Sequence, residues 1–280
     1  MDSADKAQKE ETGQQKPTEE QKAAEAQEDD RKFYEEEEQK ASHKLALKLL
    51  SKKKLEGTDI MTFKITREGL DHAAGQFAYF KLEGVTGDPK GPIRHFTIAS
   101  SPTEHDYVLI STRIRNTPYK QKLSSLAEGT RIMEWGPQGE FILKEDSPAV
   151  FLSGGIGVTP FRSMIKYATD KNLPTKIVMF DSNRNEQNIL YQKEFDDWAA
   201  KNKNLRMIYA VSDDIPSGWT GEKGRIDREM IKRHVDGNAL DESIFYICGP
   251  PGMLKAMQEL LQKDLQIPKE RIKIEEFTGY

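Results

Sequence analysis

Several residue types that define whole classes of protein are scarce in this chain of 280 residues. A single cysteine, Cys248, rules out an internal disulfide framework and an iron–sulfur cluster held by the usual four cysteine thiolates. No apolar run approaches the roughly 18 residues that a membrane-spanning helix needs. The first residues carry no apolar signal region, so the expected location is cytoplasmic and reducing. Charge of one sign is not in excess: 42 Lys and Arg stand against 46 Asp and Glu, a formal net charge of -4, and nothing draws the chain to nucleic acid. The five histidines (His43, His72, His95, His105, His234) show no ligand spacing, and no metal site is expected. There are no internal repeats.

What is present divides the chain into three parts. Residues 1–56 form a charged N-terminal segment. Up to about residue 40 it is dominated by Glu, Gln, Lys, Asp and Ala, with Phe33 and Tyr34 its aromatics. Such a stretch buries too little apolar surface to offset its ordering entropy, so it is expected to be disordered or a solvated helix. The following stretch, 42–54, is basic and rich in Leu. It fits a helix packed on the next domain with its lysines in water, the reading its composition favours, or a helix lying on an anionic membrane surface.

Residues 57–147 read as short alternating strands separated by turn signals, the pattern of a small antiparallel barrel. Strand candidates are 60–65, 77–82, 94–99, 107–114 and 130–134, with a short helix near 119–127. From 148 to 280 strands alternate with helices. Strands are expected at 150–152, 176–180, 205–211, 244–248 and 271–274, and helices near 160–169, 187–201, 227–234 and 252–263. That alternation predicts a doubly wound parallel α/β sheet with ligands at the carboxyl ends of its strands.

Two motifs sit at such ends. Gly154-Gly155-Ile156-Gly157-Val158-Thr159-Pro160 joins an apolar strand to a helix, with Thr159 a candidate N-cap and Pro160 suited to the first helical position. Free N–H groups and the positive helix end would face an anion there, and Gly154, Gly155 and Gly157 would admit a phosphate close to the backbone. Cys248 closes another strand and leads into Gly249-Pro250-Pro251-Gly252. In the barrel, alternation places Arg94, Phe96 and Ile98 on one face of a strand. A guanidinium, an aromatic ring and the hydroxyl of Thr97 are groups that can hold a pyrophosphate, cover a flavin and reach a ring nitrogen. The same residues also suit an ordinary amphipathic strand.

The order of motifs resembles that of the ferredoxin–NADP reductase superfamily over about residues 57–280. It runs Gly75-Gln76-Phe77, Arg94-x-Phe96-Thr97-x-x-Ser100, Gly136-Pro137-Gln138-Gly139-Glu140-Phe141, the Gly154 turn, Cys248-Gly249-Pro250-Pro251-Gly252-Met253, and Glu275-Glu276-Phe277. The resemblance implies an FAD-binding barrel followed by a nicotinamide-binding domain. It implies that Arg94 holds the FAD pyrophosphate, Phe96 packs on the flavin and Thr97 supplies the hydroxyl beside flavin N5. Ser100 closes the same motif, and Lys120 stands where the family has a Ser at a helix start. Cys248 would lie by the nicotinamide, with Gly249 and Pro250 shaping that turn. Glu275 would support the flavin site and Phe277 would cover the second flavin face.

Cofactor choice is written in conflict. Asp181 at a strand end favours the free ribose of NADH, whereas Ser182, Arg184 and Tyr191 are types that hold the 2′-phosphate of NADPH, and Arg with Tyr is the more specific pair. The implied activity takes a hydride from NADPH or NADH onto FAD and passes electrons to a ferredoxin, flavodoxin, cytochrome, oxygenase component or quinone. Rival readings are an electron-relay subunit of a larger complex and a non-enzymatic nucleotide-sensing or docking protein.

Overall fold

Period-two alternation of apolar residues organises the first half of the computed structural model, which describes residues 18–276. Thr18 and Gln21 form a capping box that starts helix α1 (Glu19–Lys40). Six antiparallel strands follow: β1 (Leu45–Lys54), β2 (Ile60–Ile65), β3 (Phe77–Lys81), β4 (Ile93–Thr97), β5 (Val108–Arg113) and β6 (Arg131–Gln138), with helix α2 (Pro118–Ser125) between the last two. They make one sheet in the order β4-β3-β6-β1-β2-β5, rolled around a core that includes Leu47, Phe63, Phe80, Phe96 and Ile110.

The stretch 42–54 is a correction. It forms strand β1, whose first half pairs with β6 and second half with β2, so the barrel starts at Leu45 rather than near residue 57. Leu45-x-Leu47-x-Leu49 satisfies both a two-residue and a four-residue period, and the vacant place between β6 and β2 decides for the strand. Leu47 and Leu49 point into the barrel, so no leucine-lined helix is left to lie on a membrane. Helix α1 covers the outer face of β3 and β4. Tyr34 is buried there, its hydroxyl sharing a 3.1 Å hydrogen bond with His95 Nδ1. Ion pairs Asp30–Lys90 (2.5 Å) and Glu38–Lys81 (2.7 Å) flank it.

The second half alternates as its sequence predicts: β7 (Ala149–Gly154), α3 (Thr159–Asp170), β8 (Ile177–Asn183), α4 (Gln192–Ala199), β9 (Leu205–Val211), β10 (Glu222–Lys223), α5 (Arg228–His234), α6 (Gly237–Glu242), β11 (Ile244–Gly249), α7 (Pro251–Glu259) and β12 (Ile272–Glu276). All pairings in this sheet are parallel, in the order β10-β9-β8-β7-β11-β12. Separate apolar clusters cover its two faces, one on α3 and α4 and the other on α5 and α7. Among the described residues no helix is long and apolar enough to cross a membrane.

Candidate functional site

On β4 the alternation turns Arg94 and Phe96 toward the barrel interior and His95 and Thr97 outward. Phe96 is buried with its ring 5.9 Å from that of Phe80 and 6.2 Å from that of Tyr119. It is core, beneath α2, rather than an open platform. Arg94 is also buried. One terminal nitrogen donates to the carbonyls of Lys90 (3.2 Å), Gly91 (3.1 Å) and Ile93 (2.6 Å). The other donates to Asp88 Oδ1 at 2.5 Å. Asp88 Oδ2 accepts from the backbone N–H of Tyr119, in the first turn of α2, at 2.9 Å. The guanidinium and the helix start thus converge on one anion, and that anion is the chain's own carboxylate.

Lys120 is buried beside this cluster. Its ammonium donates to Thr112 Oγ1 and lies 4.5 Å from the centre of the Phe96 ring. Burial, reinforced by Arg94 and Arg115, pushes its pKa well down. Ser100 departs from expectation: its hydroxyl accepts from Leu109 N (3.0 Å), while its carbonyl accepts from His72 Nε2 (3.0 Å) and Ser163 Oγ (2.7 Å). It ties strands and domains together. Thr97 closes β4 and is buried on the outward side.

The glycine turn lies at the carboxyl end of β7. Residues Gly155–Val158 form a single helical turn, Gly155 has φ +55°, and α3 follows. Thr159 is not the N-cap. It is already helical and its hydroxyl donates back to the Ile156 carbonyl at 3.1 Å, while Pro160 takes the first-turn place expected of it. A Cβ on Gly157 would stand 2.3 Å from the Cys248 carbonyl oxygen, and one on Gly154 would stand 2.3 Å from Met253 Sδ. Gly157 is required because the turn packs directly on the Cys248-Gly249 backbone, a reason that the sequence alone does not reveal, whereas the Gly154 contact is with a flexible Met side chain.

Parallel register aligns a row of side chains across the strand ends. Asp181 is opposite Ser153, Ser153 opposite Cys248, and Cys248 opposite Glu275. Residues so paired in parallel strands share a face. Cys248 is fully buried, and burial, helped by Glu275, pushes its thiol pKa well up. Burial raises Glu275 to about 7 and Asp181 to about 7. Asp181 accepts from Ser153 Oγ at 2.7 Å and is fully enclosed, which removes it as an open ribose ligand.

Other expected residues lie elsewhere. Tyr191 is turned into the domain interface, its hydroxyl 2.5 Å from that of Ser111 and its ring 5.1 Å from the Arg162 guanidinium. It is spent on packing and stands apart from Ser182, on β8, and the exposed Arg184 just beyond it. Phe277 lies outside the described residues. Two features were missed from sequence. Arg113 on β5 reaches across to the turn, its guanidinium 3.8 Å from where a Gly155 Cβ would be, and pairs with Asp59. Ser212 and Asp213, at the end of β9, donate their backbone N–H groups to the carbonyls of Asn183 (3.0 Å) and Arg184 (2.7 Å), which brings Asp213 beside Arg184. Both depend on strand register, which the sequence does not print.

Comparison with known proteins sets this geometry among relatives. Residues 151–259 match the model of the oxidoreductase NAD-binding domain family. The chain is 33% identical over 219 residues to a component of the Na(+)-translocating NADH-quinone reductase of Yersinia pestis (strain Pestoides F), covering 73% of this chain and 53% of that protein. It therefore spans about half the length of the curated relatives it matches. Its fold is that of the cytochrome b5 reductase domain of Ulva prolifera nitrate reductase (TM-score 0.69, 22% identity, 85% of this chain and 98% of that one). It is also that of a ferredoxin NADP+ reductase from Neisseria gonorrhoeae with bound FAD and NADP (TM-score 0.68, 20% identity, 83% and 98%).

Proposed function

For a chain that belongs to the ferredoxin–NADP reductase superfamily, we propose a reductase in which the parallel sheet takes up NADH and the barrel holds FAD. The observation that carries this is the row of strand ends, where two glycine turns, Cys248 and Glu275 meet. A flavin bound at the barrel supplies hydride acceptance from the nicotinamide and delivery of electrons onward.

The chain's own groups suit both cofactors. Arg94 and the first turn of α2 make an anion seat, and the Asp88 carboxylate held there is a stand-in for the phosphate that they would bind. Asp88 has to leave that seat for a pyrophosphate to enter, since two anions cannot share it. Thr97 offers a hydroxyl at the end of β4. On the other side, Gly155 allows close approach to the backbone just before α3, while Gly157 lets the turn seat against the Cys248 carbonyl, and Arg113 adds positive charge. Cys248 stays protonated and excludes water from the sheet side. Glu275, raised to about 7, carries a proton over part of the neutral range.

NADH is favoured over NADPH. With Tyr191 packed into the domain interface, the Arg–Tyr pair that pointed to a 2′-phosphate is broken, and Asp213, hydrogen-bonded through its backbone to Arg184, places an acidic residue beside it. The Yersinia relative named above is part of an NADH-quinone reductase. Because this sequence has one cysteine, electrons leave the flavin for an acceptor outside these residues, a protein or a quinone, in a reducing cytoplasmic setting. Anaerobic stopped-flow mixing of the FAD-loaded protein with NADH and with NADPH tests the proposal. Flavin bleaching with NADH, faster than with NADPH, is expected; absence of bleaching with both donors would refute it.

A further inference from the structure

We propose that Arg162 is a positioning residue for hydride transfer, setting the barrel strand that ends in Thr97 in register with the turn that contains Gly155. This rests on the functional reading above. Arg162 lies in the first turn of α3, directly after that turn, yet its side chain is only 2% exposed. All five of its N–H donors are used. Nε donates to Glu194 Oε2 (2.7 Å) and the two terminal nitrogens donate to the Ala99 carbonyl (2.8 Å), Glu104 Oε2 (2.9 Å), Glu104 Oε1 (3.2 Å) and Glu194 Oε1 (3.1 Å).

Glu104 belongs to the barrel half and is itself fixed by Ser101 N (2.7 Å) and the Tyr107 hydroxyl (2.7 Å). Glu194 belongs to α4. The guanidinium therefore joins carboxylates from both halves. Tyr191 and Trp198 lie against it with ring centres 5.1 and 5.3 Å away. The next residue, Ser163, donates to the Ser100 carbonyl at 2.7 Å. Two consecutive carbonyls just past β4 are thus held by two consecutive side chains of α3.

Stability alone does not explain such a site, because burying a charged network costs solvation that a packed apolar cluster would not. What a planar five-donor fork adds is direction. Thr97 lies two residues before Ala99, and Gly157 five residues before Arg162, so the fork fixes the two cofactor-facing segments through short, rigid connections. Misplacement by about 1 Å costs on the order of a hundredfold in such a transfer.

The test compares wild type with Arg162→Lys, which keeps charge and bulk but not the fork, and with Glu194→Gln, which removes one arm at a half-exposed position. Each is measured for NADH affinity, thermal midpoint and flavin reduction at saturating NADH, and the flavin-free protein for hydrogen exchange. The inference expects Arg162→Lys to slow reduction on the order of a hundredfold with NADH affinity within about twofold, and Glu194→Gln to slow it less. It also expects amides of residues 99–104 and 155–158 to exchange faster together. A lowered midpoint with unchanged reduction would make Arg162 merely structural and overturn the proposal. If wild type itself is not reduced, the functional reading fails, and exchange alone decides: coupled loosening of the two segments supports the positioning role, and loosening confined to α3 overturns it.

Discussion

In the barrel the anion seat centres on one side chain, Arg94, helped by the backbone N–H groups of Lys90 and Tyr119, and it is taken by the chain's own Asp88. At the carboxyl ends of the parallel sheet the proposed seat is made of backbone, and the row beside it contains a buried thiol and two carboxyls raised to about 7. A seat centred on one guanidinium can be opened or closed by one residue. A seat built from backbone depends on two turns packing without a Cβ between them, and it tolerates no added atom.

The largest effect expected is in the barrel. Arg94→Ala leaves the Asp88 carboxylate buried without its cation, which should cost about 3–5 kcal/mol in urea unfolding; a loss below about 1 kcal/mol would mean that the pair behaves as a surface pair. Next, Gly157→Ala drives a Cβ against the Cys248 carbonyl. Overpacking of that kind costs about 1–3 kcal/mol, and flavin reduction by NADH should be lost while FAD binding persists. Loss of both together would show that the two seats are not independent.

Glu134 sharpens the contrast through pH. It is fully buried on β6, and among the described residues neither carboxylate oxygen has a partner; burial raises its pKa from 4.5 to about 8. The folded chain keeps this proton where the unfolded chain releases it, so stability is fully present below the unfolded value. It falls as pH rises through the window up to about 8, by at most about 1.4 kcal/mol per unit. Glu134→Gln should flatten that slope in unfolding titrations, and an unchanged slope would assign the pH dependence to other groups. The smallest effect is at Cys248. Replacing it with Ala removes one buried sulfur, worth about 1 kcal/mol, and should slow hydride transfer without releasing FAD.

Much of this architecture is legible in the chain. The five apolar runs of the parallel sheet, the glycine turn and the barrel strands from 60 onward stand out because period and punctuation are local properties. β1 is not legible, since its leucines fit two periods and only the barrel chooses between them. Asp88 reads as a turn residue in Gly87-Asp88-Pro89, and nothing local couples it to Arg94 and Tyr119. The alignment of Asp181, Ser153, Cys248 and Glu275 follows from parallel register, which no single segment encodes. Arg162 had a signal: a charged residue between Phe161 and Met164 on an apolar helix face requires buried partners.

The contrast between the two seats rests on Asp88 competing with a phosphate for Arg94. The most direct measurement is equilibrium binding of FAD and of NADH to wild type and to Asp88→Asn. Removing the competing carboxylate should tighten FAD binding by about tenfold or more, since two like charges about 4 Å apart oppose each other by several kcal/mol at an intermediate dielectric, and NADH binding should not change. Weaker FAD binding in Asp88→Asn, with the fold intact, would contradict the account and make Asp88 a support for Arg94 instead of its rival occupant.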